Sequence, residues 1–153
     1  MYREKYVNTD AEELLDELDR VGSRAKEMFR EFKQINLEPA AVELSGKDHD
    51  LKHPIKQLYV NGRMDTDDLL LSLSEARVKC ESIGAFVDYI DNKISDPELK
   101  VFDDAYQYIV QHGDNGTFRD MLNLYHEVMK LYRLTRKVLN KLNNTAAARM
   151  ELI

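Results

Sequence analysis

Three long stretches of this chain carry apolar residues at alternating spacings of three and four, and this spacing constrains the fold more than any other feature. It keeps the apolar side chains on one side of a helix. In the first stretch a helix is expected to start at the capping residues Asn8, Thr9 and Asp10. Its apolar positions are Ala11, Leu14, Leu18, Val21, Ala25, Met28, Phe32 and Ile35.

The second and third stretches predict two further long helices. The second opens at residues 65–68 and continues without interruption through Leu69, Leu73, Ala76, Cys80, Ile83, Val87, Ile90 and Ile94. The third is capped by Thr117, extends to about residue 142, and carries Phe118, Met121, Tyr125, Val128, Tyr132, Thr135, Leu139 and Leu142. Between them, Asp96, Pro97 and a stop at Gly113 predict one shorter helix.

The connection of residues 36–62 lacks a long periodic pattern, although connections of this length are uncommon in compact domains. It can hold a small helix at residues 39–44 or a hairpin. In the second case, residues 55–60 form a strand before a turn at Asn61 and Gly62, and pair with residues 2–7. The sequence as a whole predicts an all-α fold in which residues 1–153 form a single domain. Three long heptad-patterned helices and one shorter helix are expected to make an antiparallel bundle.

Composition indicates an acidic cytoplasmic protein. The chain of 153 residues carries a net charge of −6 and has no apolar run of the roughly 18 residues that a membrane span needs, so no membrane partner is expected. Its single cysteine, Cys80, cannot form an internal disulfide, which fits a reducing compartment. The acidic excess lies in residues 65–117, whereas residues 118–153 are net basic.

Two of the long helices carry more apolar residues than one packing direction uses. One additional line is Leu71, Val78 and Ala85, and the other is Leu124, Leu131 and Val138. At least one of these lines is predicted to bind a partner protein or a second copy, in the manner of a coiled coil or homodimer. The alternative is that residues 36–62 fold over the first line and bury it within the chain. The leading hypothesis is therefore a noncatalytic adaptor, inhibitor or assembly factor that binds other proteins.

Neither a cofactor nor a metal ion is expected. His49 and His53 have a spacing that a helix could use for metal binding, but Pro54 disfavours helical geometry at His53 and no further ligand completes a set. Paired carboxylates at Glu13 and Glu17, and at Asp88 and Asp91, occupy outward heptad positions. They are interpreted as solvated helix faces.

Arg119 and His126 are separated by six residues, with Asp120 directly after the arginine. This arrangement resembles the Arg-x(4–6)-His motif of HEPN ribonucleases, which are compact α-helical domains. The resemblance covers eight residues and implies RNA cleavage by these two side chains at a dimer interface. A HEPN-like ribonuclease is therefore the alternative to the binding-protein hypothesis.

A basic line, Lys130, Arg133, Lys137 and Lys141, follows the outer side of the last predicted helix. It can contact an anionic partner or balance acidic helices within the same domain. No aromatic residues are interleaved with the line, so it lacks the stacking groups that single-stranded nucleic acid requires. Nucleic acid is not the expected partner.

Overall fold

The computed structural model describes residues 2–35, 54–113 and 116–144, and the side chains within these ranges from residue 11 onward. This part of the chain folds into five helices and contains no strand. The helices are α1 (Tyr2–Gln34), α2 (Pro54–Lys79), α3 (Ile83–Lys93), α4 (Leu99–His112) and α5 (Gly116–Asn143). The prediction of an all-α fold is therefore confirmed, although the described residues form two shorter helices, α3 and α4, rather than one.

Helix α1 begins at Tyr2, so the predicted start at residues 8–10 is wrong. Residues 2–9 contain neither glycine nor proline, and nothing in their backbone chemistry stops a helix. Capping side chains are also tolerated within a helix when no stronger signal ends it. The suggested hairpin of residues 2–7 with residues 55–60 does not form, because both segments are helical.

Helix α2 begins at Pro54 and includes the segment interpreted as a strand and a turn. Proline suits the first position of a helix, where its missing N–H costs nothing. Ile55 and Leu58 are buried at helical spacing and extend the apolar face of the later turns. Gly62 lies within the helix, and the Phe32 ring packs so closely against it that only glycine fits. A Cβ atom at this position would be 2.3 Å from Phe32 Cζ. The suggested small helix at residues 39–44 lies outside the described residues.

The second heptad stretch is divided into two helices, whereas one continuous helix was expected. Helix α2 ends at Lys79 and α3 begins at Ile83. The Ser82 side chain accepts a hydrogen bond from the Ala85 N–H at 3.1 Å, and Ser82 has extended backbone angles. A serine that caps a new helix in this way competes with continuation of the previous one. The apolar pattern continues through the break because Leu73, Ile83 and Val87 remain buried in one core.

The core lies where α1 packs against α2 and α5, and α3 and α4 also pack against both α2 and α5. Two buried tyrosines of α5 tie this helix to the others through main-chain oxygens. Tyr132 donates to the Asp65 carbonyl at 2.7 Å, and Tyr125 donates to the Glu98 carbonyl at 3.2 Å. At the other end of α4, Gly113 adopts a positive φ of 98° and ends the helix, as predicted. None of the five helices combines the length and apolar character that crossing a membrane requires.

Candidate docking surface

Four large apolar side chains are exposed along one side of α2. Their exposed fractions are 41% for Val60, 57% for Met64, 48% for Leu71 and 85% for Val78. Spacings of four, seven and seven residues place them on a narrow line along a helix with 3.6 residues per turn. We call these four residues the outer stripe.

The opposite side of the same helix is fully integrated into the core. Leu58, Leu69 and Ala76 have no exposed surface, and Leu73 is 5% exposed. Because successive residues are rotated by about 100°, these core positions lie roughly half a turn from the outer stripe. Helix α2 therefore has two apolar faces, and the described residues of the chain bury one of them.

Two polar residues complete a heptad pattern on the outer side. Inserting Asp67 and Ser74 into the outer stripe gives the positions 60, 64, 67, 71, 74 and 78, which alternate in spacings of four and three. This spacing is typical of a seam that receives a second helix. From Val60 to Val78 the seam is about 27 Å long, since each helical residue rises by about 1.5 Å. Its length is sufficient for a partner helix of five turns.

The flank of the seam that faces α1 has its two arginines engaged within the chain. Arg77 pairs with Asp19 of α1 at 3.0 Å. The Arg63 guanidinium lies 5.4 Å from the ring centre of Tyr59 and 5.9 Å from that of Phe29. Stacking on two rings holds this cation at the side of α2. Neither arginine projects freely across the seam.

The opposite flank is acidic and only partly compensated. Glu75 accepts a hydrogen bond from Tyr89 and lies 3.7 Å from Lys79. Asp68 is exposed, and within the described residues neither it nor Asp67 forms an ion pair. Burial and the charge of Asp67 raise the pKa of Asp68. Among the described residues, Lys79 therefore compensates Glu75, whereas Asp67 and Asp68 have no cation paired with them.

The residues predicted to bind a partner divide into exposed and buried groups. Leu71 and Val78 are exposed, and Ala85 is exposed on α3 beyond the break. Leu131 is half-buried, whereas Leu124 and Val138 are 8% and 1% exposed and belong to the core. Helix α5 uses this second apolar line for packing within the chain, so Leu124 and Val138 are not available to a partner.

Sequence reasoning did not identify Val60, Met64, Asp67 and Ser74 as part of the same surface. The first two fall in or beside the segment interpreted as a strand and a turn, which removed them from any helical face. Extending the seven-residue spacing of Leu71 and Val78 backwards reaches Met64 at once. The signal was present in the sequence, but it depended on where α2 begins.

Helix α4 carries a second group of exposed apolar residues. Leu99, Tyr106 and Val110 are 57%, 50% and 62% exposed, and their spacings of seven and four place them on one side of the helix. This group is shorter than the outer stripe. It comprises three exposed apolar side chains, whereas the outer stripe comprises four.

The basic line of α5 lies on the surface, where Lys130, Arg133, Lys137 and Lys141 are all exposed. Arg136 in the same region has a different role, because it bonds to Asp91 at 2.7 Å and to Asp96 at 3.3 Å. It also donates to the Ile94 carbonyl at 3.1 Å. The residue of α5 that pairs with the acidic residues Asp91 and Asp96 is thus Arg136 and not a member of the basic line. That the basic line binds an anionic partner stays a prediction.

The two residues of the ribonuclease alternative lie on α5. Arg119 is exposed, and the half-buried His126 ring lies 5.7 Å from the Phe102 ring. Seven residues of helix separate the two positions by about 10 Å along the helix axis. Their catalytic role remains a prediction.

The histidines and paired carboxylates considered as metal ligands are not brought together. His49 and His53 fall outside the described residues. Glu13, Asp88 and Asp91 are exposed, and Glu17 is half-buried.

One aspartate has an unusual electrostatic environment. Burial raises the pKa of Asp65 to about 7, with smaller contributions from the charges of Asp68 and Glu98.

Within the described residues, no group of three or more His, Cys, Asp or Glu side chains is arranged to hold a metal ion. A shallow cleft of about 400 Å³ lies between α1 and the α2–α3 corner, where Leu15, Cys80 and Phe86 contribute to its walls.

Comparison with protein-family models, curated proteins and solved structures finds no match for this chain.

Proposed function

We propose that this protein is a noncatalytic helical binding protein that acts as an adaptor, inhibitor or assembly factor through the outer stripe of α2. The supporting observation is the exposure of Val60, Met64, Leu71 and Val78 on the side of α2 opposite its core face. Contiguous apolar surface of this kind favours contact with another protein over contact with water.

Contacts between helices support the proposal that the outer stripe lies on a stable scaffold. Pairing of Arg77 with Asp19 and of Arg24 with Glu127 joins α1 to both α2 and α5. We propose an antiparallel bundle in which α1 runs opposite to α2 and α5, and α3 and α4 together form the remaining leg. The single cysteine and the absence of a membrane-crossing helix among the described residues support a cytoplasmic location.

Helix packing also explains why the surface is a stripe. The inner face of α2 is fixed by Leu58, Leu69 and Ala76, and Arg63 and Arg77 hold one flank against α1. The helix therefore cannot rotate to bury its outer side without exposing its inner side. Burying a large aliphatic side chain contributes about 1.5–3 kcal/mol, so a partner that covers the outer stripe gains a substantial hydrophobic contribution.

Affinity capture from the native cell tests this proposal. Bait proteins are the wild type, Leu71→Glu with Val78→Glu, and a control with Gln107→Glu and Gln111→Glu on the exposed side of α4. Both double variants add the same negative charge. We expect the wild type and the control to retain one set of bound proteins that the Leu71 and Val78 variant loses, while all three keep the same circular dichroism spectrum. Equal capture by all three contradicts the proposal.

A further inference from the structure

The chemistry of the seam restricts which helix can occupy it, and this inference rests on the proposed function. Self-pairing is the simplest possibility and has two symmetric arrangements. A twofold axis along α2 gives a parallel pair, whereas an axis perpendicular to α2 gives an antiparallel pair. The charges around the outer stripe oppose both arrangements.

In the parallel pair each seam residue faces its own copy. Asp67 occupies the centre of the seam, so two carboxylates would meet where the interface is most enclosed. Like charges in a desolvated interface are strongly unfavourable, and Asp67 has no ion pair among the described residues that could offset the repulsion. Parallel self-pairing is therefore disfavoured at its central layer.

In the antiparallel pair each flank of the seam meets the same flank of the other copy. With the seam centred between Val60 and Val78, Asp68 would lie near Asp68 of the second copy. This contact brings two carboxylates together, whereas Arg63 and Arg77 on the other flank are already engaged within the chain. Antiparallel self-pairing is therefore disfavoured along the acidic flank.

A helix from a different protein avoids these contacts when its charges complement the seam. We infer that the outer stripe of α2 receives a basic amphipathic helix of another protein, with apolar residues at heptad spacing and lysine or arginine facing Asp67 and Asp68. The apolar residues of such a helix cover Met64, Leu71 and Val78. Its cations compensate the two aspartates that have no ion pair within the described residues.

Two synthetic peptides provide the test. Both are 21-residue helices with leucine at the seam positions, and they differ only in carrying lysine or glutamate at every flanking position. The affinity of the full chain for each fluorescently labelled peptide is measured by anisotropy at physiological salt. We expect the lysine peptide to bind at least about tenfold more tightly, because its cations attract Asp67 and Asp68 whereas the carboxylates of the glutamate peptide are repelled by them.

Matched variants locate the effect. Asp67→Lys with Asp68→Lys should reverse the preference between the peptides, and Leu71→Glu with Val78→Glu should abolish binding of both. The control, Asp103→Lys with Asp104→Lys, changes the net charge by the same amount at exposed positions of α4. Its ratio of affinities for the two peptides should stay within about threefold of the wild-type ratio. Circular dichroism of each variant establishes that the helical fold is retained.

The outcomes separate this inference from the proposed function. Peptide binding that requires Leu71 and Val78 but shows no preference for lysine overturns the inference and leaves the proposed function intact. If the wild type self-associates reversibly and the Leu71 and Val78 variant does not, the occupant of the seam is a second copy. That result also overturns the inference and leaves the proposed function intact. Equal reversal by the α4 control shows that affinity follows net charge and also overturns the inference. If neither peptide binds and the native-cell capture is the same for all baits, both proposals are wrong.

Discussion

The two faces of α2 have similar composition but different environments. The inner face presents Leu58, Leu69 and Leu73 to the core, and the outer face presents Leu71 and Val78 to solvent. Leu69 and Leu71 are only two residues apart in the same helix, yet one has no exposed surface and the other is about half exposed. Hydrophobicity alone therefore does not identify the core of this protein, because neighbouring helices cover only one side of α2.

This difference separates stability from binding within a single helix. Substitutions on the inner face should change the free energy of unfolding, whereas substitutions on the outer face should change association with other proteins.

The largest effect is expected from Leu69→Asp, which places an unpaired carboxylate in the core. We expect a loss of about 5 kcal/mol or more, enough to unfold a domain of ordinary stability. Leu71→Asp is the matched control and should change the free energy of unfolding by about 0.5 kcal/mol or less, as is usual for surface positions. Chemical denaturation followed by circular dichroism measures both, and similar losses would show that the two faces are not distinct.

A smaller effect is expected from Gly62→Ala on the inner face. The new Cβ atom would overlap the buried Phe32 ring, and such overpacking costs about 1–3 kcal/mol. Gly22→Ala is the control, since its Cβ atom would meet Leu73 Cδ1 at an ordinary 3.8 Å. We expect Gly22→Ala to raise the stability by up to about 1 kcal/mol through helix propensity. Thermal denaturation measures both variants. A higher melting temperature for both would contradict close packing of the Phe32 ring on Gly62.

The pH dependence of stability tests the environment of Asp65 on the inner side of α2. Its pKa is about 7 in the folded protein, whereas an unfolded aspartate ionises near pH 4. Between these values the folded state holds the extra proton, so stability should fall as the pH rises from 5 to 8. Asp65→Asn should remove this contribution and raise stability at pH 8 by about 1–2 kcal/mol, allowing for partial solvent screening. An unchanged pH profile would be inconsistent with burial of this carboxyl group.

The smallest effect concerns the corner that ends α2. Ser82→Ala removes the side-chain oxygen that accepts from the Ala85 N–H, and loss of such a cap costs about 1 kcal/mol. Ser74→Ala on the outer side is the matched control and should be neutral or slightly stabilising. Equal midpoints for the two variants in urea denaturation would mean that Ser82 does not cap α3.

The sequence predicted the helical fold and most of the core because the three-four spacing reports directly on helix faces. Leu18, Val128 and Tyr132 are buried as their heptad positions indicated. The ends of helices were less predictable, since Ser82 divides a continuous apolar pattern through a single local hydrogen bond.

The candidate site was predicted only in part. Leu71 and Val78 were identified from their spacing, but whether an additional apolar line is covered depends on the other helices, which periodicity does not describe. Leu124 and Val138 had an equivalent pattern and are core residues, because α5 packs against α1, α2, α3 and α4. Tertiary packing therefore decides between two lines that the sequence treats alike.

Site-specific photo-crosslinking tests the central claim most directly, because it reports what touches α2 in the cell. A photoreactive phenylalanine analogue replaces Val78 in one protein and the exposed Gln111 of α4 in a second. The proposed function predicts a discrete covalent adduct with another protein from position 78 and none from position 111. Absence of an adduct at position 78, or equal adducts at both positions, would contradict the claim that the outer stripe is a docking surface.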